Sequence, residues 1–471
     1  MSKLPDIKTN FSEWYNEVIY QSEMADHSPV RGCIVIRPYG FAMWEIIRDY
    51  VDGRLKATGH QNAAFPLLIP ESFLKKEAKH VEGFSPELAV VTHAGGKEIE
   101  EPYVVRPTSE TIIHYMFARW MKSYRDLPIK INQWANVVRW EMRPRPFLRT
   151  TEFFWQEGHT AHETHEQAQE EALLILNEYI TLAEQYLAIP VVAGKKSEAE
   201  KFPGADVTYT FEGLMQDGKA LQMGTSHIIS QTFAHAFDMK FQDREGNLAY
   251  PFLTSWAVTT RLLGAVIMTH GDAKGLVLPP QVAPIQVVII PIFGKNDDRN
   301  AVMDAVAKIQ KDLGALRVYV DADDQKTPGA KFYHWELKGV PLRIEIGTRD
   351  LAQQQAMVAD RIGLGKKAVA LNELATYVPT LLETIQRTLL ERARERRDSM
   401  WHRRAKLAEF ASDLVEHNGF YQTGWCRNPA CEALLKQYQA TTRCLLEERT
   451  FETCFNCDQK SQGDVLIAKA Y

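Results

Sequence analysis

Residues 137–158 read VVRWEMRPRPFLRTTEFFWQEG. Two extended, aromatic-rich segments flank a turn crowded with proline and arginine. That pattern predicts a long antiparallel hairpin with a basic loop, Arg143 to Arg149, at its tip. Arg139 and Glu141 alternate with Val138 and Trp140, so strand periodicity puts the two charged side chains on one face. An ordinary ion pair is one reading. The other is an arginine reaching a phosphate while the glutamate takes a neighbouring donor.

Downstream, residues 164–187 carry apolar side chains at Leu173, Leu176, Ile180, Ala183 and Leu187, a helical period. Thr108-Ser109-Glu110 follow Pro107 and precede an apolar run. They either cap a helix over 111–123 or hold an ammonium group. In LQMGTSH, residues 221–227, Gly224 lets the backbone approach a ligand, and Gln222, Thr225 and His227 offer polar contacts. In SWAVTTRLLGAVIMTHGD, Arg261 follows a strand pattern and opens an apolar helix. Apolar packing does not place an arginine there without a partner, and an anion is a natural one.

Near 276–284 (LVLPPQVAP) the composition breaks and the rhythm changes. IQVVIIPIF reads as a buried strand and NAVMDAVAKIQKDLG as an amphipathic helix. LRVYVDA is a strand, TPGAKFYHWELKG a helix, PLRIEIG a strand, and KKAVAL a further strand. The alternation predicts a small α/β unit with a largely parallel sheet. A long helix over 375–410 then leads to a cysteine-bearing tail. The divisions expected are 1–282, 283–388 and 389–471.

The chain has 471 residues, 45% of them hydrophobic and 24% charged, which fits an ordinary soluble protein of several domains. The first residues show no apolar run after a basic segment, and no stretch is long enough to span a bilayer, so the expected compartment is the cytoplasm. Net charge is −5, yet 387–406 holds eight Arg or Lys against three acids. That stripe is either a solvated helix face or a nucleic-acid contact. Cysteine is rare before the tail. Cys426-x4-Cys431 and Cys454-x2-Cys457 are two close pairs of the kind that bind tetrahedral zinc, and Cys444 fits neither spacing and reads as a buried thiol.

Taken together these elements resemble the class II aminoacyl-tRNA synthetases, and among them the prolyl family. The resemblance covers essentially the whole chain. Residues 40–66 are similar to the first class motif, a helix and strand that form the dimer interface. Arg139 and Glu141 occupy the Arg-x-Glu positions of the second, and Arg261 is the arginine of the third. RPTSET and GTSH lie between them, and TPGAKFYHWELKGVPLRIEIGTRD resembles the family's anticodon-binding domain. Only 122 positions separate Arg139 from Arg261, so the large editing insertion of the common bacterial form is absent. The cysteine tail is similar to the zinc-bearing C-terminal domain of the archaeal and eukaryote-like form, in which the terminal tyrosine, here Tyr471, folds toward the active site.

The resemblance implies an antiparallel-sheet α+β catalytic domain, an α/β anticodon-binding domain and a small C-terminal α/β zinc domain. It implies ATP-dependent activation of L-proline and transfer to tRNA(Pro) by a homodimer. Thr108 and Glu110 would bind the imino nitrogen, with Trp155 and His227 lining the proline slot. Arg139 would meet the substrate carboxylate and the α-phosphate, and Glu141 the adenine amino group. Thr150 and Thr151 would lie along the nucleotide, Gln222 and Thr225 would hold ATP, and Thr259 and Arg261 would bind it with Mg2+ at the triphosphate. Cys426, Cys431, Cys454 and Cys457 would hold zinc, and Glu345 and Arg349 would contact anticodon bases. Another class II synthetase is the nearest alternative. The catalytic half has no cysteine besides Cys33, which disfavours a zinc-bound substrate site. A non-catalytic tRNA-binding relative is expected to lack Arg139 or Arg261.

Overall fold

The computed structural model describes residues 3–73, 88–294 and 298–471. Its largest sheet has eleven strands. From one edge they are Trp401–Arg403, Phe420–Trp425, Gly463–Lys469, Ala440–Leu445, Val191–Lys195, Val207–Leu214, Ala220–Ser230, Phe252–Thr259, Glu152–His162, Ile129–Val138 and Gln61–Asn62. The pairings are antiparallel except at the two edges. One face is covered by the helix His165–Thr181, whose Ala172, Ile175, Leu176 and Tyr179 are buried. Thr164 and Gln167 form its capping box. The periodicity expected over 164–187 is present. Its last turn, Leu182–Tyr186, widens to π geometry, closing with Leu187 N–H on Leu182 C=O at 3.0 Å.

The hairpin forms with Val138 opposite Glu152. The strand stops at Val138, so Arg139 and Glu141 do not share a strand face as expected. Arg139 N–H makes the last rung, to Thr151 C=O at 2.8 Å. Pro144 and Pro146 then forbid a continued ladder. Of the segment 40–66, the helix is present as Pro38–Ala57, but its strand is only Gln61–Asn62.

The second sheet has the order Val318–Val320, Val287–Ile292, Leu342–Gly347, Gln355–Asp360, Lys366–Ala370. The first three strands are parallel, Gln355–Asp360 runs against them, and Lys366–Ala370, antiparallel to Gln355–Asp360, runs with the first three. The sheet is therefore mixed rather than largely parallel. The strand Gln355–Asp360 (QAMVAD), which buries Ala356, Val358 and Ala359, was not among the elements expected. It needs no helical crossover, because a tight turn at Gly363 and Gly365, both at positive φ, returns the chain.

The helix expected over 375–410 is Leu374–Ser399. It ends because Trp401–Arg403 pairs beside Phe420–Gln422, and a separate helix, Leu407–Glu416, follows. The C-terminal strands are not a detached knob. Leu445 pairs with Lys195, which joins them to the central sheet. Cys444 is buried there, and burial pushes its thiol up to about 12. Among the described residues no helix is long and apolar enough to cross a membrane.

Candidate active site

On the sheet face opposite the helix His165–Thr181 lies a cavity of about 460 Å³. Its walls bring together Thr108, Glu110, Arg139, Glu141, Thr150, Trp155, Gln222, Thr225, His227, Thr259 and Arg261, which come from segments far apart in the chain. Thr151 is not on the wall. Its N–H donates to Gly32 C=O at 2.8 Å and its hydroxyl faces Glu141 N–H, so it braces the loop from behind.

At one end, Ser109 sits at the N-cap position of the helix Glu110–Trp120 but makes no capping bond. Its hydroxyl donates to Glu157 at 2.5 Å instead, and Thr108 donates to Glu110. Thr108 and Glu110 thus face the cavity, while the buried Ser109 braces Glu157 on its wall rather than capping the helix. Glu110 is buried and has no ion pair among the described residues, an arrangement that favours an incoming cation. Arg139 Nε donates to Pro107 C=O at 2.8 Å, and the guanidinium lies 5.4 Å from the Trp155 ring centroid and 5.5 Å from that of Phe153. Arg139 is surrounded by protein yet reached by water through the cavity mouth. Burial lowers its pKa, opposed by the charges of Glu110 and Glu157.

His227 lies between two hydroxyls, 2.9 Å from Thr208 through Nδ1 and 2.9 Å from Thr225 through Nε2. Burial, reinforced by His159, pushes it down to about 3, so the ring is neutral. Sequence reasoning missed several wall residues: Phe153, Glu157, His159, Phe202, Ser255 and Trp256. Glu157 and His159 follow Trp155 at period two on one strand, which was a usable signal. Phe202 and Trp256 arrive from other segments and left none. Trp256 depends on Gly158, where a Cβ would come within 1.9 Å of the indole. His159 shows two opposed effects: burial disfavours its charge, but the 3.1 Å bond to Glu157 wins and raises its pKa.

At the other end, Arg261 opens the helix Arg261–His270. Its N–H donates to Thr259 Oγ1 at 3.0 Å, Nε to Leu148 C=O at 3.3 Å and Nη1 to Gln222 C=O at 3.1 Å. These bonds hold the guanidinium without neutralising it. Its pKa is lowered to about 10 by burial, then by Arg149 and Arg139. Neither Arg139 nor Arg261 has a carboxylate ion pair among the described residues. A site walled by unpaired guanidinium groups suits a polyanion. Gly224 permits the close strand approach here, since a Cβ would meet Phe211 at 2.7 Å and Ala257 C=O at 2.8 Å.

Two further clusters lie elsewhere. The sulfurs of Cys426, Cys431, Cys454 and Cys457 all fall within 4.8 Å of one another, with Cys426–Cys457 at 3.5 Å and Cys426–Cys431 at 3.8 Å. A tetrahedral ion with bonds of about 2.3 Å needs sulfur–sulfur edges of about 3.8 Å, so the four fit one. In the mixed sheet, Glu345 is buried with its oxygens taken by Arg343 at 3.0 Å and Lys366 at 2.7 Å. It is therefore not open to a base, whereas Arg349 is exposed on the short helix Thr348–Ala352. Tyr471 folds onto the catalytic sheet. Its hydroxyl donates to Asp217 at 2.6 Å, and Arg145 of the hairpin loop lies 5.3 Å from its ring centroid. It is near the site but not on the cavity wall.

Comparison with known proteins agrees with this architecture. Residues 92–270 match the tRNA synthetase class II core domain (G, H, P, S and T), residues 286–381 the anticodon binding domain, and residues 407–471 the prolyl-tRNA synthetase C-terminal domain. The chain is 51% identical to proline–tRNA ligase 2 of Clostridioides difficile, over 100% of this chain and 98% of that protein. It is 50% identical to proline–tRNA ligase of Acetoanaerobium sticklandii, over 99% and 98%. The fold matches prolyl-tRNA synthetase of Cryptosporidium parvum complexed with halofuginone and AMPPNP, with TM-score 0.95, 41% identity and 99% of each chain covered. It also matches that protein complexed with L-proline and AMP, with TM-score 0.93, 40% identity and 100% and 99% covered. With half of its residues shared along its full length, and the C-terminal cysteine unit included in the match, this chain belongs to the prolyl-tRNA synthetase family.

Proposed function

We propose that the cavity is where ATP and L-proline are joined, which makes the chain a proline–tRNA ligase. The observation that carries this is the convergence of Arg139 and Arg261, unpaired and from distant segments, on one cavity whose far end is acidic. Glu110, with Thr108, takes the cationic imino nitrogen, and Trp155 and His227 wall the pyrrolidine ring. Arg139 holds the substrate carboxylate against the α-phosphate. Glu141 takes the adenine amino group, Thr150, Gln222, Thr225 and Thr259 lie along the nucleotide, and Arg261 holds its γ-phosphate. Thr151 keeps the loop in place behind them. ATP enters as its magnesium complex.

A carboxylate is already ionised at neutral pH, so activation needs no general base. The site supplies alignment and positive charge to the phosphate under attack. The neutral His227 does not compete with Arg139 for the substrate carboxylate. Activation releases pyrophosphate, and transfer follows when a tRNA ribose hydroxyl attacks the prolyl carbonyl of the adenylate in the same cavity, forming the ester as the acyl–phosphate bond breaks and AMP and the hydroxyl proton leave.

The cysteine cluster would hold structural zinc through Cys426, Cys431, Cys454 and Cys457, cross-linking the C-terminal unit. Residues 1–282, 283–388 and 389–471 then serve catalysis, anticodon binding and zinc binding. Arg349 reads anticodon bases, and Glu345 acts by aiming Arg343 and Lys366 at the tRNA. The enzyme works in the cytoplasm as a homodimer through the region of the helix Pro38–Ala57, without a membrane partner. The deciding test is ATP–pyrophosphate exchange with each of the twenty amino acids. Exchange with proline far above the rest supports the reading. Exchange with none, or with another amino acid foremost, overturns it.

A further inference from the structure

Behind the nucleotide end of the cavity lies a buried cluster that no step above uses. Glu212 is fully buried, and its Oε1 accepts from Lys196 Nζ at 2.8 Å and Thr210 Oγ1 at 2.9 Å. Its Oε2 accepts the fork of Arg443, Nε at 3.1 Å and Nη2 at 2.8 Å. Arg443 is itself fixed, since Nη1 donates to Thr441 Oγ1 at 2.9 Å. All three charged side chains are nearly inaccessible, at 2%, 0% and 7% exposure for Lys196, Glu212 and Arg443. Lys196 and Glu212 come from the central sheet, but Arg443 comes from the C-terminal unit, 231 positions away from Glu212.

Two features tie this cluster to the cavity. First, the strands Val207–Leu214 and Ala220–Ser230 slip register between Phe211 and Glu212, so that Glu212 stands opposite Gln222 and Met223 is skipped. A bulge of this kind re-aims side chains beside a site. Gln222 is the residue whose carbonyl holds Arg261. Second, two cations share the Glu212 carboxylate, which leaves one positive charge in excess within the cluster, while the neighbouring buried carboxylate, Glu432, is taken by the Ser197 and Thr442 hydroxyls rather than by either cation. Such a charge is costly unless an anion comes near. Burial disfavours the charged Glu212, but Arg443 and then Lys196 outweigh it and keep the carboxylate ionised. Arg261 in turn feels both Glu212 and Arg443.

We propose that Lys196, Glu212 and Arg443 form a positioning cluster for the triphosphate end of the nucleotide, through which the C-terminal unit acts on ATP binding. The inference rests on the cavity being the ATP site. The cluster holds the bulged strand pair that carries Gln222, and so Arg261. It also lends one positive charge to a place where a polyanion sits. Proline, bound at the other end beside Glu110, does not sense it.

The test uses the full chain and four proteins: wild type, R443M, R443K and K196M. Removing either cation leaves Glu212 in a neutral pair with the other, so the fold is not left with an unpaired buried carboxylate. Proline-dependent ATP–pyrophosphate exchange gives KM for ATP and for proline, and thermal unfolding reports the fold. We expect R443M and K196M to raise the KM for ATP about tenfold, the order of one charge-assisted contact, with the KM for proline within about twofold. R443K should recover most of the ATP affinity. The inference is overturned if the KM for ATP in R443M stays within about twofold of wild type, or if both KM values rise together, which is the mark of a merely structural loss. If R443M does not fold, K196M decides by the same criteria. A wild type with no proline-dependent exchange would sink the reading of the cavity itself, whereas an active wild type with unaltered variants sinks only the cluster's role.

Discussion

Arg139 Nε donates to the carbonyl oxygen of Pro107 at 2.8 Å, so the arginine after the first hairpin strand is tied to the segment that carries Thr108 and Glu110. The group proposed to hold a carboxylate and the group proposed to hold a cationic nitrogen therefore share one frame. A bond to a carbonyl also spends one face of the guanidinium and leaves the rest for substrate. Lysine cannot make both contacts from one fork. We expect R139K to lower kcat for proline-dependent pyrophosphate exchange by about 10²–10³, as for loss of one pre-aligned donor. Its unfolding temperature should stay close to wild type. Activity within tenfold of wild type would remove Arg139 from the activation step.

Discrimination against smaller amino acids should be poor. A slot walled by Trp155 and His227 rejects alanine only by lost contact, and missing methylenes are worth about 1–3 kcal/mol, or roughly 10–200-fold. Alanine should therefore drive pyrophosphate exchange with kcat/KM reduced by about that factor. No editing insertion separates Arg139 from Arg261, so the purified chain should not deacylate alanyl-tRNA(Pro). Release of alanine from that substrate would contradict the expectation.

Much of this site was legible because its residues lie in local patterns that their chemistry demands. Arg261 at the head of an apolar helix is one such place, and the cavity wall contains it. The polar run at Thr108–Glu110 is another, although Ser109 turns to Glu157 rather than to the helix end. What the sequence hid was of two kinds. Strand limits near proline were misjudged, as where the ladder stops at Val138. Contacts between distant segments were invisible: Trp256 needs Gly158 beneath it, and Arg443 meets Glu212 only after the C-terminal strands join the central sheet. Pairwise register across long separations leaves little local trace. The helix Leu374–Ser399 was overrun for a similar reason, because Trp401–Arg403 is a strand only by virtue of its partner Phe420–Gln422.

Metal removal tests the cysteine cluster. The four sulfurs come from two knuckles, which are also joined by Phe455 N–H to Gly424 C=O at 2.8 Å, by the buried Phe455 ring and by the Asn456–Cys431 contact at 3.6 Å. We expect about one zinc per chain in the purified protein and nearly none in C454S. The C-terminal strands continue the central sheet, so C454S should also unfold at a temperature several degrees lower. A wild type free of metal and as stable as C454S would exclude the zinc.

Four buried histidines, His114 among them, set a dependence of stability on pH. His162, His227 and His270 are at most 9% exposed, and burial pushes them down to about 4, about 3 and about 3. His270 donates Nε2–H to Leu187 C=O at 2.9 Å, which by itself favours the charged ring, but burial outweighs it and the ring stays neutral. The unfolded chain takes up a proton at each near pH 6.5, while the folded chain refuses it until far lower pH. Protonation thus favours unfolding, and stability falls as pH drops below about 6.5, by at most about 1.4 kcal/mol per unit for each histidine. His159 works in the opposite sense. Its folded pKa is raised through Glu157 despite burial, so its contribution is present in acid and lost as pH rises through the folded value. His114, His334 and His402 are lowered as well, so six groups stand against one and leave a net loss as pH falls below about 6.5. In H270N the amide can still donate to Leu187, but nothing titrates. We expect the unfolding midpoint of H270N to fall less steeply with acid than that of wild type, with the two curves converging toward pH 4. Parallel curves across that range would mean that His270 is already charged in the folded protein.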